Sequence, residues 1–191
     1  MTQTTGAIVL AAGFSRRFGN QKLIQKLSNG NSVLKQTLER IQAAIPNIEI
    51  VTTPELSAYL TPQTCGITIF SNANQGIGAT LAFGISRSNN WDACIVCLAD
   101  MPFIKTETYR SIDSSLQKGK IVTPWHKGKR GNPVGFGSQF FEELMSLDGD
   151  TGANHIVTNN ADAVLRLDLS DPGILLDIDT QADLEKYKSL A

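Results

Sequence analysis

Short apolar runs separated by amphipathic stretches predict an α/β fold, with a mostly parallel sheet covered by helices on both faces. Three observations carry this expectation. Runs such as Ala7-Ile8-Val9-Leu10 and Ala93-Cys94-Ile95-Val96-Cys97-Leu98 are apolar at every position, as in strands with no solvent face. Patterns at helical spacing lie between them. Glycine-rich or polar stretches at 10–22, 71–80, 99–102 and 125–133 fall at or just after strand ends, where open α/β sheets bind ligands.

In chain order, the apolar runs predict strands over 6–10, 48–52, 67–70, 92–98, 120–124, 133–137, 164–168 and 174–178. The helical spacing predicts helices over about 32–45, 77–88, 105–118, 138–147 and 180–189. The alternation loosens after residue 120. There TPWHKGKRGNPVGF reads as strand, polar loop and strand, an antiparallel addition to the sheet. No Pro/Gly/Ser-rich linker divides the chain, so residues 1–191 read as one domain.

Charge narrows the function classes. Lys and Arg total 17 against 18 acidic residues, a net charge of −1, so no general basic excess points to nucleic acid or a membrane surface. Any phosphate must be met by a local cluster. The N-terminus MTQTTGAIVLAAG lacks a basic leader region, and its apolar run is too short for a signal peptide or a span; the cysteine usage points to a reducing, cytoplasmic compartment. Cys94 and Cys97 have the spacing C-x-x-C. On a strand, however, residues three apart face opposite sides, so they are expected to be buried thiols and not a shared ligand pair.

The stretch GAIVLAAGFSRRFGNQKL, residues 6–23, leaves the core through small residues and then delivers three positive charges. Gly13 and Gly19 permit close backbone approach to a ligand. Free amides there form an anion-binding concavity, and Arg16, Arg17 and Lys22 supply mobile charge. The combination suits a polyphosphate. A solvated βα turn is the alternative. The spacing is not that of a P-loop, and no G-x-G-x-x-G follows the first strand; Gly76-Ile77-Gly78-Ala79-Thr80-Leu81 is only a near miss.

Leu10-Ala11-Ala12-Gly13-x-Ser15-x-Arg17-Phe18-Gly19, followed by Lys22-Leu23, resembles the signature L-A-A-G-x-S-x-R-M-G-x-x-K-L of nucleotidyltransferases with a glycosyltransferase-A-like fold. More narrowly, the chain resembles the molybdenum cofactor cytidylyltransferases. Leu98-Ala99-Asp100-Met101-Pro102, Gly131-Asn132-Pro133-Val134, Gly149-Asp150-Thr151-Gly152 and Asp177-Ile178-Asp179-Thr180 have counterparts in order. The resemblance implies a three-layer, Rossmann-like fold and transfer of CMP from CTP, or of another nucleotide, to a molybdopterin-type acceptor, with Mg²⁺ and release of pyrophosphate. It implies nucleotide contacts from Leu10, Ala11, Ala12, Gly13, Ser15 and Gly19. It assigns Arg17 and Lys22 to the triphosphate, Lys22 to its α-phosphate. Arg16 stands where the signature is open, with at most a supporting role.

Asp100 ends the strand 92–98. Mg²⁺ takes oxygen ligands and one or two carboxylates, and the resemblance makes Asp100 a catalytic metal ligand. Capping of the following helix is the alternative. The second ligand in the resembling enzymes matches Asp179, with Asp177 two residues earlier as a fallback and a helix cap as its alternative role. Gly76, Gly78 and Thr80 are the implied base and ribose contacts.

For the acceptor, Trp125, His126, Lys127, Lys129 and Arg130 would suit a phosphate-bearing pterin by stacking and ion pairing, or form a merely solvated hairpin tip. The family often has His where this chain has Asn132, and Arg where it has Asn154. Those departures leave open a sugar phosphate or other small acceptor, and also a noncatalytic nucleotide-binding factor that serves a molybdoenzyme or its chaperone.

Overall fold

The computed structural model describes residues 3–13, 18, 21–60, 65–88 and 90–190. Strand β1 (Thr5–Ala11) is central: it pairs in parallel with β2 (Asn47–Thr52) on one side and with β4 (Ala93–Leu98) on the other. β3 (Gly66–Ile69) extends the sheet beyond β2, again in parallel. Past β4 the direction changes. β7 (Val134–Gly137) runs antiparallel to both β4 and β5 (Ile121–His126), and β6 (Lys129–Arg130) closes a short hairpin on β5. β8 (Val164–Asp168) pairs in parallel with β5. Among the described residues the order is β3-β2-β1-β4-β7-β5-β6, with β8 alongside β5. The predicted antiparallel addition is therefore β7 and β6 within an otherwise parallel sheet.

Alternation along the strands sends successive side chains to two apolar layers. Ala7, Val9, Ile50, Ile95 and Cys97 join one cluster, and Ile8, Val51, Cys94, Val96 and Phe136 join the other. Helices α1 (Val33–Gln42), α4 (Thr106–Ser115) and α7 (Gln181–Tyr187) cover the first layer through Leu34, Ile41, Tyr109, Ile112 and Leu184. Helices α3 (Ile77–Ile85), α5 (Phe141–Met145) and α6 (Asn154–Asn159) cover the second through Leu81, Ile85, Leu144 and Ile156. The short α2 (Pro54–Ser57) lies between β2 and β3. Cys94 and Cys97 are free, fully buried and in opposite layers, as their spacing predicts; burial pushes both thiols far above their ordinary pKa.

The structure corrects one predicted element. Residues 174–178 are not a strand: Pro172–Leu175 forms a 3₁₀ turn, and the chain then runs extended without a ladder. Pro172 sets φ at the first turn, and Asp171 caps it by accepting from the Gly173 amide at 2.9 Å. The predicted helix 138–147 is a 3₁₀ turn, Ser138–Phe140, leading into α5. Helix α6 was not anticipated, because Asn-His-Ile-Val-Thr-Asn offers little intrinsic helix preference.

Candidate active site

The strand order reverses at the seam between β1 and β4: the chain builds outward to β2 and β3 on one side and returns to β4 on the other. From the carboxyl ends of these two parallel neighbours the chain departs in opposite directions along the sheet, leaving a crevice. A cleft of about 590 Å³ occupies this position, walled by Leu10, Ala12 and Gly13 after β1 and by Leu98, Ala99 and Asp100 after β4. The Ala99 amide donates to the Leu10 carbonyl at 3.2 Å, holding the two exits together. The buried Thr37 hydroxyl of α1 lies 3.0 Å from the Ala99 carbonyl and fixes the peptide before Asp100.

Lys22, on the 3₁₀ turn Lys22–Ile24, points into this cleft. Its ammonium donates to Asp100 Oδ2 at 2.6 Å and to Asp179 Oδ1 at 2.9 Å. The three side chains are only 12%, 18% and 28% exposed. Burial by itself would lower the Lys22 pKa; the charge and hydrogen bond of Asp100, joined by those of Asp179, outweigh it, and the net direction is up. A raised lysine pKa contributes stability that is whole below 10.5, the ordinary value, and is lost as pH rises through the higher folded value.

Backbone contacts bring the carboxylates together. The Ile178 amide donates to the Asp100 carbonyl at 3.0 Å, which sets Asp177 and Asp179 beside the end of β4. The N-cap positions of α4 and α7 are Lys105 and Thr180, not Asp100 or Asp179. Asp171 serves α4, accepting from the Lys105 amide at 2.9 Å and the Thr108 hydroxyl at 2.6 Å. Thr180 and Asp183 form the capping box of α7. Asp100 Oδ1 is buried and lacks a hydrogen-bond partner among the described residues. Two acidic side chains converging on one cation, one of them with an unsatisfied oxygen, make a donor set of the hard-oxygen kind that Mg²⁺ or Mn²⁺ takes.

The MobA-like NTP transferase domain family matches residues 7–164 of this sequence. The chain belongs to that family. It is a nucleotidyltransferase. PucB, named a purine catabolism protein of Bacillus subtilis (strain 168), is 24% identical over 196 residues, covering 95% of this chain and 94% of PucB. The crystal structure of Rv0371c from Mycobacterium tuberculosis H37Rv is 25% identical, with a TM-score of 0.84 over 97% of this chain and 98% of that one. A nucleotidyl transferase from Methanothermobacter thermautotroptrophicus shares the fold at a TM-score of 0.84 and 19% identity, over 98% and 97% of the two chains.

Within the nucleotidyltransferase, the cleft brings together Leu10, Ala12, Gly13, Lys22, Gly76, Thr80, Asp100 and Asp179 of the sequence-based set. Ala11 is buried on the layer under α1. Ser15, Arg16, Arg17 and Gly19 lie outside the described residues. Gly78 is buried and not part of the wall. A Cβ there would lie 2.6 Å from the Thr151 carbonyl oxygen and 2.8 Å from that of Asp148, and one at Gly76 would meet Gly149 at 2.3 Å. The Gly78 amide donates to the Gly149 carbonyl at 2.8 Å. These glycines thus admit the 148–152 loop against the start of α3. The Thr80 hydroxyl donates back to the Gly76 carbonyl at 2.9 Å, so its hydrogen is engaged while its oxygen can still accept. Asp150, brought in by that loop, and Asn74 are wall residues that no motif reading had assigned.

Gly78→Ala is expected to destabilise the protein. Helix preference favours alanine by up to about 1 kcal/mol, but a contact at 2.6 Å with backbone cannot be relieved by a rotamer change. A net loss of about 1–3 kcal/mol in denaturant unfolding is expected.

Asp177 lies at the exposed rim of the same cleft. Its carboxyl is held above the usual value, first by partial loss of water and then by the charges of Asp179 and Asp100. An acid whose folded pKa is raised favours the native state below 3.8 and loses that contribution as pH rises through the folded value. Asp177→Asn is therefore expected to raise Tm at neutral pH by roughly 1–3 °C at low ionic strength. The gain should shrink near 1 M salt, which screens the charges of Asp179 and Asp100 but leaves the loss of water, and should vanish below the carboxylate range, which thermal melts across pH and salt would check.

The hairpin cluster is placed differently. No residue from 125 to 132 belongs to the cleft wall. The Arg166 guanidinium sits 4.3 Å over the Trp125 ring, covering one face. His126 Nδ1 is 2.8 Å from the Leu169 carbonyl oxygen, and Arg130 donates to Asn154 Oδ1.

Proposed function

We propose that this nucleotidyltransferase acts, as one catalytic unit over residues 1–191, in the Mg²⁺-dependent transfer of CMP from CTP to the phosphate of a molybdopterin-type cofactor. The observation that carries the reading is the Lys22 ammonium shared by Asp100 and Asp179 at the mouth of the β1–β4 cleft. Ala12 and Gly13 line the same cleft beside Gly76, Asn74 and Thr80, a small-residue wall suited to a base and ribose. The choice of cytosine and of a pterin rests on the signature resemblance of the opening motif. The free buried cysteines suit a reducing, cytoplasmic setting.

Asp100 and Asp179 would hold the divalent ion, which supplies neutralisation of charge on the phosphates. An oxygen of the acceptor's phosphate, already ionised at neutral pH, attacks the α-phosphorus in line. The new O–P bond forms as the bond to the bridging oxygen breaks, and its electron pair departs with pyrophosphate. No base is required. Lys22, with Arg17, lowers the barrier by meeting charge that grows on the α-phosphate and the leaving group. The cleft walls hold the reactants in line, replacing an improbable encounter with a fixed one.

A second reading, transfer to a sugar phosphate or other small acceptor, is favoured by one observation: Trp125 is covered on one face by Arg166 and stands outside the cleft wall. Pyrophosphate release should be measured with each of the four nucleoside triphosphates, Mg²⁺, and either a phosphorylated pterin or a panel of sugar phosphates. Activity with CTP and the pterin is expected. Preference for GTP overturns the base, activity only with sugar phosphates supports the second reading, and tight nucleotide binding with no pyrophosphate under any acceptor overturns transfer in favour of a noncatalytic maturation factor.

A further inference from the structure

We propose that Lys22 is an internal cation that keeps divalent metal out of the Asp100–Asp179 pair until a nucleoside triphosphate draws the ammonium away, so that metal and nucleotide enter together. The inference deepens the reading above and rests on its assignment of the two carboxylates. Lys22 Nζ lies 2.6 Å from Asp100 Oδ2 and 2.9 Å from Asp179 Oδ1, so it occupies the space between the oxygens that a metal ion would need. An ammonium held on those two oxygens competes with a hard divalent ion: it occupies their lone pairs and adds like-charge repulsion in a half-buried site, so each cation weakens the binding of the other.

Neither carboxylate depends on the nucleotide for its position, since the Ile178 amide bonds to the Asp100 carbonyl and Thr37 anchors the preceding peptide. The lysine can move. Its nitrogen ends a flexible four-carbon stem on a three-residue turn, and among the described residues the two acids hold it. A triphosphate at the amides of Ala12 and Gly13 would offer that ammonium a denser set of anionic oxygens within the same cleft. Once it leaves, Asp100, Asp179 and the nearby Asp177 lose the ammonium's positive charge, which strengthens the pull of these carboxylates on a divalent ion. The unpartnered Asp100 Oδ1 adds donor capacity that the ammonium leaves unused.

The test is Mn²⁺ binding to the full-length protein without nucleotide, by titration calorimetry and electron paramagnetic resonance. The proteins are wild type, Lys22→Met, Lys22→Gln, Asp100→Asn and the Lys22→Met/Asp100→Asn double variant, each checked for a cooperative melt. Both Lys22 variants should bind Mn²⁺ at least about tenfold more tightly than wild type, and the gain should disappear in the double variant. Wild type should show a comparable gain when an unreactive CTP analogue is added. Mn²⁺ affinity unchanged or weaker in a folded Lys22 variant overturns the proposal, as does wild-type binding that is equally tight with and without the analogue. Failure of the transfer reading looks different: a metal gain on removing Lys22, with no pyrophosphate from any nucleotide and acceptor, keeps the cation competition and removes the reaction.

Discussion

Asp100→Asn is expected to lower pyrophosphate release by about a hundredfold or more, the scale of removing one preorganised electrostatic group. The substitution keeps shape and volume at a side chain that is 18% exposed, and leaves the Ile178 and Thr37 contacts to the neighbouring backbone intact. What it removes is charge. An amide is a poor ligand for a hard cation beside a single remaining carboxylate, and Lys22 would lose its 2.6 Å partner. The expected pattern is a large fall in kcat, a raised metal requirement and a melting temperature close to wild type. Turnover within a few-fold of wild type would remove Asp100 from the reaction.

Lys22→Met should depress turnover on the same scale, by about a hundredfold or more, but with the opposite effect on metal binding. Methionine keeps an unbranched apolar stem against the cleft wall while deleting the ammonium. Two carboxylates then face each other without the ammonium, so the melt in metal-free buffer should fall and recover on adding Mn²⁺. Steady-state kinetics should place the loss mainly in kcat, because the charge is needed most where it develops during transfer. The two variants thus share a lost rate and differ in their response to metal, which separates a ligand to the cation from a competitor of it.

The ends of β1 and β4 could be read from the sequence because a strand buried on both faces leaves an unbroken apolar run, and the motif residues follow directly. Lys22 and Asp100 were both legible as chemistry. Their mutual contact was not: the pairs lie 78 and 157 residues apart, and no local pattern encodes such a meeting. Gly173-Ile174-Leu175-Leu176-Asp177 has the apolar character of a strand, yet Pro172 and the Asp171 cap make a 3₁₀ turn of its first part. Asp179 still reaches the cleft, since an extended segment delivers it there with or without a ladder. Gly76 lines the cleft, and Gly76 and Gly78 also make room for the 148–152 loop, which their place in the sequence did not announce. Sequence reveals that a position must be small, not which neighbour demands it.

The bond from the Ile178 amide to the Asp100 carbonyl has a temporal consequence. One acid of the pair is in place once the central strands have assembled, whereas its companion arrives only when the segment leading into α7 has docked. A chain in which that segment is undocked therefore owns the β1–β4 crevice with one of the two carboxylates beside Lys22 and not the other.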